Sequence, residues 1–470
     1  MPPRSWSCVP AFLRPLAAGL LALSVNASAL ALGPAPVPGA EPSFPYTLTA
    51  TGRDTLIALG RRFLADPRQW PQLQAYNQIA NPRRMRVGTV VQIPLRLMVT
   101  EPVPAQVLSV SGDVRGADGR TIAEGQTVPQ GGSLSTGQGQ ATVRLVDGTV
   151  LRLRPATAVQ VDDSRRLPRV GGVLSGVKLQ DGQVEVKAQK ALNGGLPGFR
   201  VSTPQGLLGV RGTEFRVTVD RSAELTRSEV LEGQVVADGR GVQPGQQVNA
   251  GFGIVMGRTG EVQSPVKLLE APDLSALPVF QDRPLVRMPI EPRPGAVAYL
   301  GRIAADTRFE PVLSVVRVEV VPAGTELRFA DLPDGRYVLR VRAEDAQGLQ
   351  GPDAEHSFTL KARPEPPLST APAPRAILSD TRVNFAWTAA QDARTYRLQL
   401  ARTEDFREPL HDRRGLVDPS LQIDGLAPGV YHWRLASERS ATDQGPFGAA
   451  QRVELRALPT PVPPPVVGPG

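Results

Sequence analysis

The stretch VSTPQGLLGVRGTEFRV, residues 201–217, decides how the centre of the chain is read. It holds Thr203-Pro204, glycines at 206, 209 and 212, and an Arg211-Gly212-Thr213-Glu214 quartet followed by Phe215. A phosphate-binding loop needs a strand that passes through glycines into a helix, so that backbone N–H groups and the helix dipole face the anion. After Gly212 comes TEFRVTVD, an alternating strand with no Lys-Ser or Lys-Thr pair, and the phosphate reading fails there. The run is expected to be strand, turn, strand. Thr203-Pro204 end the first strand, and the glycines admit backbone angles or close approaches that a side chain would block. Arg211 and Glu214 are expected to pair with each other and brace the turn.

The flanks agree. From Val107 to about Val262 the chain runs in four- to seven-residue alternating segments with no helical period. Asp-Gly pairs at 118–119, 147–148, 181–182 and 238–239 read as turns, and ATVRLVDGTVLRL, residues 141–153, reads as a hairpin. This predicts an all-β roll or sandwich over residues 107–265. The region resembles the FecR domain, on AEGQTV…STGQGQATVRLVDGTVLRLRPATAV, on the opening run, and on SEVLEGQVVADG…QPGQQVNAG. In that family the signature positions are Thr203, Pro204, Gly209, Arg211, Gly212, Thr213, Glu214 and Phe215, read here as structural. Family members are best known as periplasmic parts of iron-responsive signalling, joined through a membrane segment to a cytoplasmic anti-sigma region. No such region or internal span is legible in this chain, so the anti-sigma mechanism is not carried over.

Upstream, residues 44–97 read as β-α-α-β. A short alternating strand starts at Tyr46, and a helix capped by Asp54 or Thr55 buries Leu56, Leu59, Phe63 and Leu64. A second helix presents Trp70, Leu73 and Tyr76 at helical spacing, and GTVVQIP closes as a strand. Asp54-Thr55-Leu56, Trp70, Leu73, Asn77, Gly88 and Ile93-Pro94 resemble the LysM module, with Arg53 interposed between Gly52 and Asp54. The resemblance implies a peptidoglycan tether that binds N-acetylglucosamine-containing glycan between two loops. The residues it points to are Gly52, Asp54, Thr55, Leu56, Asn77, Ile79 and Asn81. Trp70 and Leu73 are read as core.

Downstream, ADTRFEPVL at 305–313 recurs as RTEDFREPL at 402–410, and LPDGRYVLRVRA at 332–343 recurs as LAPGVYHWRLAS at 426–437. An offset a little under a hundred residues fits one β-sandwich per repeat. Trp387 and the Gly-x-Tyr-x-x-Arg strand resemble fibronectin type III-like modules, expected over 291–362 and 376–456. Pro-rich segments at 32–43, 98–106, 266–290 and 363–375 read as linkers, and residues 457–470 as a disordered polyproline-type tail.

The predicted fold class is therefore mainly β and multidomain, in keeping with 46 Gly, 47 Pro and 5% aromatics in 470 residues. Arg4 and Arg14 flank an apolar stretch ending in Ala27-Ser28-Ala29, which reads as a signal peptide over 1–31 and places the mature chain in the periplasm or cell envelope. The sole cysteine, Cys8, lies within it, so the mature chain has no disulfide. The net charge of +8 comes almost wholly from arginine and reads as spread along the chain in runs no longer than a pair, which argues against nucleic acid. The three histidines, His356, His411 and His432, have no ligand-spaced partners, and no nucleophile motif is present; neither metal, cofactor nor catalytic residue is assigned. Asp162-Asp163 reads as a solvated strand end. The expected function is non-enzymatic: an envelope protein bound to peptidoglycan and presenting a sensory or scaffold domain. Alternatives are the sensory half of a pair with a separate membrane signalling protein and, weakest, a cell-wall hydrolase.

Overall fold

The computed structural model describes residues 46–189, 198–210, 212–240 and 245–457. The expected signal peptide, the 32–43 linker, Arg211 and all but the first residue of the proline-rich tail lie outside these residues. The chain is mainly β and multidomain.

The middle domain is organised around one sixteen-residue strand, Gly172–Lys187. Its first part pairs antiparallel with Thr157–Leu167 and parallel with Phe199–Ser202, in a sheet that also holds Val114–Gly116, Ser133–Thr136, Gly206–Val210, Gln234–Gly239 and Gln246–Asn249. From Gly182 onward it pairs with Glu214–Asp220 and Val150–Leu153, in a second sheet with Ala105–Ser111, Gln140–Arg144, Leu225–Glu232 and Phe252–Met256. The strand changes sheets at Gly182, whose φ is 82°. A strand that crosses at a bend is how two packed sheets make a corner. Asp181-Gly182, expected as a hairpin turn, is therefore a bend inside a strand, and Asp238-Gly239 ends the strand Gln234–Gly239. Asp118-Gly119 and Asp147-Gly148 are turns, closed by Gly119 N–H to Gly116 O at 3.0 Å and Gly148 N–H to Leu145 O at 3.0 Å. Alternate residues of both sheets, among them Val143, Leu153, Val161, Val184, Val201, Phe215 and Val235, form one buried core.

The N-terminal unit has the order strand Tyr46–Thr49, helix Leu56–Phe63, helix Trp70–Tyr76, strand Val90–Ile93, and its two strands pair antiparallel. Thr55 Oγ1 accepts from Ala58 N–H at 3.1 Å, capping the first helix, which buries Leu56, Leu59 and Phe63. Of the three residues expected on the second helix, Leu73 is buried, Trp70 half-buried and Tyr76 exposed. The core continues through Leu95, Leu97 and Met98 onto Leu167 and Leu174 at the tip of the long hairpin. Arg169 Nη1 donates to Leu64 O at 2.9 Å across the same contact. The expected 98–106 linker contributes Glu101–Pro102, paired with Arg165 and Arg166, and the start of Ala105–Ser111.

Each C-terminal repeat is a two-sheet sandwich. The first has Phe280–Gln281, Ala354–Leu360, Gly335–Asp345, Ala296–Ala304 and Val312–Glu319 facing Val286–Ile290 and Thr325–Phe329. The second has Ala376–Leu378, Gln451–Leu455, Gly429–Ser440, Thr395–Ala401 and His411–Leu416, with Asp443–Phe447 alongside, facing Ser369–Ala371, Val383–Trp387 and Ser420–Ile423. The repeats share fine detail. Tyr337 Oη donates to Pro333 O at 2.6 Å and Tyr431 Oη to Ala427 O at 2.7 Å. Phe309 and Phe406 both have positive φ, with Arg340 and Arg434 stacked 4.0 and 4.2 Å over their rings.

Two further expected linkers, 266–290 and 363–375, are also partly strands. Val286, Met288 and Ile290 alternate into the first sandwich core, and Pro289 faces outward in a two-stranded sheet, where every strand is an edge and a missing N–H is tolerated. Ser369–Ala371 pairs with Val383–Trp387. Proline content marked both segments as spacers and concealed the alternation.

Candidate functional site

The two loops of the N-terminal unit meet. Leu56 N–H donates to Pro82 O at 3.0 Å, and Gly88 N–H donates to Ala50 O at 2.9 Å. Asp54 Oδ2 accepts from Thr51 N–H at 2.7 Å and Thr51 Oγ1 at 2.6 Å, which holds the Asp54 carboxyl below its usual range. Asn77 is a brace: its Nδ2 donates to Leu73 O at 2.9 Å and Gln92 O at 2.8 Å, while Oδ1 accepts from Gln92 N–H at 2.7 Å. Asn81 Oδ1 accepts from Arg83 N–H at 3.0 Å. Leu56, expected in the glycan groove, is 0% exposed, so its side chain belongs to the core and cannot contact a ligand. Ile79 packs half-buried on the same core. Gly52 and Asn81 are exposed.

The run at 201–217 is a hairpin followed by a corner. Thr203 N–H and Oγ1 donate to Gly206 O at 2.8 and 3.1 Å, closing the turn through Pro204. Gly206–Val210 lies in one sheet and Glu214–Asp220 in the other, so the intervening residues carry the chain across. Gly212 has φ 63° there, beside Gly233 (φ 76°), where Leu225–Glu232 crosses back to Gln234–Gly239. Thr213 Oγ1 donates to Gln234 O at 2.9 Å and joins the two crossings. Gly209 lies within a strand, where a Cβ would find no atom closer than Val236 O at 3.9 Å, so no steric need for glycine exists at that position. Phe215 is core. The expected Arg211–Glu214 pair falls on a residue outside those described; Glu214 approaches Lys187 Nζ at 3.7 Å.

The densest chemistry lies elsewhere, where the outer face of the first sandwich meets the two-sheet domain. Glu185, on the second half of the long strand, accepts from Arg302 Nη1 at 2.9 Å, Arg342 Nη2 at 2.8 Å and Arg154 Nη2. Asp353 accepts from Arg342 Nε at 2.9 Å and Arg302 Nη2 at 2.8 Å. Arg302 and Arg342 are 2% and 0% exposed. Arg216 Nη2 donates to Gly351 O at 2.6 Å and Gln350 O at 3.1 Å, and Gln350 N–H donates to Glu229 Oε1 at 3.3 Å. Leu349 plugs a small apolar cluster with Val255 and Leu268. At the rim Glu310 accepts from Arg152 Nε at 2.9 Å and Thr142 Oγ1 at 3.1 Å. A cleft of about 470 Å³ opens beside the network, lined by Arg154, Gln183, Arg227, Leu300 and Arg302 among others.

The electrostatics divide the carboxylates. Burial opposes ionisation of Glu185, but Arg302, Arg154 and Arg342 overcome it and hold the carboxyl well below its ordinary range. Asp353 is likewise held down against burial by Arg342 and Arg302. Burial, with the charge of Arg342, pushes Arg302 down to about 9. Glu229 goes the other way: burial raises it, and Arg216, 3.9 Å off, offsets this only in part. A carboxyl lowered by folding stabilises above its unfolded pKa, and that stability is lost as pH falls through the folded value. A raised one stabilises below its unfolded pKa and loses the effect as pH rises through the folded value. Glu229→Gln should therefore gain stability over the parent as pH rises from 5 to 8, because the amide avoids a buried charge and keeps an oxygen for Gln350 N–H. Melting temperatures of both proteins at the two pH values test this; a parent that is relatively more stable at pH 8 than at pH 5 refutes it.

None of these interface groups was singled out from sequence. Asp163, expected at a solvated strand end, is buried and bonded by Arg165 at 2.6 Å and Arg200 at 3.3 Å; the register shift at Asp162 pairs it with Gly176, on the face of Arg200 rather than the core face of Val161. The available signal was the repeat itself. Positions that both repeats keep, such as Tyr337/Tyr431 and Arg340/Arg434, maintain the sandwich. Arg302 and Arg342 become Gln399 and Ala436 in the second repeat, which lacks the contact.

The molecule is thus a train of β modules in which a two-sheet domain and a sandwich share a buried ionic interface. A family model described as FecR protein matches residues 132–236, placing a FecR domain within the two-sheet unit. No curated protein matches the chain. Among solved structures, a chain described as a putative anti-sigma factor from Parabacteroides distasonis is similar at 23% identity over 29% of this chain, with a TM-score of 0.24. This chain spans 59% of that one's length. The FN1–FN3 domains of chicken CNTN1 are similar at 16% identity, covering 52% of this chain and 98% of that one, with a TM-score of 0.20. A two-domain fibronectin type III segment of chicken tenascin is similar at 11% identity over 39% of this chain and 98% of that one, with a TM-score of 0.20.

Proposed function

We propose that this is an exported, non-enzymatic protein of the cell envelope, held on peptidoglycan by its N-terminal LysM-like unit and presenting its FecR domain as a sensory or scaffold element. The observation that carries the reading is the FecR match at 132–236, on a domain whose second sheet is docked to a sandwich through Glu185. A membrane signalling protein is the partner this reading calls for, on the strength of the FecR match; among the described residues no helix is long and apolar enough to cross a membrane. The LysM-like unit supplies the anchor: its two loops are joined by backbone hydrogen bonds and leave Gly52 and Asn81 open to a glycan strand. Deleting residues 44–97 should abolish co-sedimentation with purified peptidoglycan. Full pelleting of the truncated protein refutes the anchor, and a lysis band on a cell-wall zymogram refutes the non-enzymatic reading.

A further inference from the structure

Residues 46–98 contain eight arginines, two aspartates and no lysine or glutamate, and so carry six of the chain's eight net positive charges. All eight guanidinium-bearing residues, Arg53, Arg61, Arg62, Arg68, Arg83, Arg84, Arg86 and Arg96, are exposed. Among the described residues, none forms an ion pair, whereas arginines elsewhere are repeatedly paired, as at Arg152, Arg302, Arg317 and Arg397. The charge that reads as evenly spread is in fact concentrated on one small unit.

Four of the eight surround the paired loops. Arg53 follows Gly52, beside Val87, and Arg83, Arg84 and Arg86 lie on the opposite loop. That loop is fixed rather than slack: Arg83 N–H is bound by Asn81 Oδ1 at 3.0 Å, Arg84 N–H donates to Asn81 O at 3.2 Å, and Thr89 Oγ1 donates to Arg86 O at 2.7 Å. A pinned backbone that projects unpaired guanidiniums leaves little ordering cost for an anionic partner. Guanidinium forks match carboxylates bidentately. Exposed arginines commonly do no more than solvate a surface, yet a solvated surface gains nothing from setting eight guanidiniums against only two carboxylates, neither of them within ion-pair distance of an arginine among the described residues.

We infer that Arg53, Arg83, Arg84 and Arg86 form an anion-binding face for a carboxylate-bearing wall polymer, so that the glycan is recognised by charge as well as by its sugars. The identity of the polymer rests on the proposed wall-binding function; the charged face does not.

The test is co-sedimentation of the full chain with purified sacculi. R83Q/R84Q/R86Q should lower the bound fraction about fivefold or more at 50 mM NaCl, and R61Q/R62Q, at the far end of the first helix, less than about twofold. Raising NaCl to 300 mM, or amidating the carboxylates of the sacculi, should reproduce the loss in the parent. An unchanged thermal transition in each variant keeps folding out of the comparison. Pelleting that resists salt, amidation and the triple substitution, yet disappears on deleting 44–97, overturns the charge inference and leaves the anchor standing. No pelleting of the parent at 50 mM NaCl overturns the anchor. Arginine-dependent retention on duplex DNA or anionic vesicles, tighter than on sacculi, overturns the choice of polymer.

Discussion

Glu185→Gln is expected to cost about 3–5 kcal/mol, the scale on which removing one member of a buried ionic cluster destabilises a fold. Glu185 is the common acceptor of three guanidiniums, from Arg154 in its own domain and from Arg302 and Arg342 in the sandwich. The surrounding cluster already sets four arginines, with Arg216, against three carboxylates, with Glu229 and Asp353. Neutralising Glu185 leaves four buried arginines facing two carboxyls, one of them Glu229, whose ionisation burial already opposes. The amide keeps the side-chain volume, so the loss is electrostatic and the core above it is untouched. Because two domains share the site, the earliest urea transition should move to lower concentration and the domains should come apart in limited proteolysis. Glu310→Gln at the half-exposed rim should cost about 1 kcal/mol, as screened pairs do. Equal midpoints for Glu185→Gln and the parent would show that the interface contributes nothing to holding the domains together.

Pairing with Arg342→Met refines this. If Glu185 and Arg342 act through each other, the double variant should be less destabilised than the sum of the singles. A buried pair replaced on both sides by apolar or neutral groups can approach neutrality. Such a result would mean the network fixes which face of the sandwich docks, rather than how tightly.

The β texture, the repeat and the order of the small unit were legible because each depends on local alternation: Val286/Met288/Ile290, Leu151/Leu153 and Val184/Val186 all face one way at a period of two. The interface was not legible for the same reason. Arg302 and Arg342 occupy outward positions, and a polar residue at an outward position reads as solvent-facing whether or not another domain covers it. Asp163 adds a second kind of loss: a one-residue bulge at Asp162 takes it off the core face that alternation with Val159 and Val161 assigns, and sets it beside Arg200, from the strand Phe199–Ser202, which sequence spacing does not show. The signature run shows a third. Its glycines are three apart in sequence, but Gly212 sits beside Gly233, twenty-one positions away, and Gly182 marks a further crossing between the sheets. Only the pairing of strands reveals that these are three corners of one sandwich.

Gly182→Val should be the most damaging single substitution at those corners, at roughly 3 kcal/mol or more. Two penalties coincide. At φ 82° a β-branched residue is a genuine conformational outlier. Its Cβ would also lie 2.5 Å from Ala156 O and from the Thr157 Cα, and 2.6 Å from Thr157 Oγ1, atoms of backbone and of a hydroxyl already engaged with Gln183. Neither can retreat without breaking the register between Thr157–Leu167 and the first half of Gly172–Lys187. Gly119→Val is the matched control. It has φ 76° at the Asp118-Gly119 turn, and a Cβ there meets nothing within 4 Å. That variant carries the angular strain alone, about 1–2 kcal/mol. The difference between the two urea midpoints measures the close approach by itself. If Gly182→Val is no worse than Gly119→Val, the strand crosses between sheets without being pinned at that residue, and the corner is set by its neighbours. If the gap is as large as expected, the Asp181-Gly182 pair is the point at which one continuous strand is committed to two sheets. The second of those sheets then presents Glu185, three residues on, to the arginines of the sandwich.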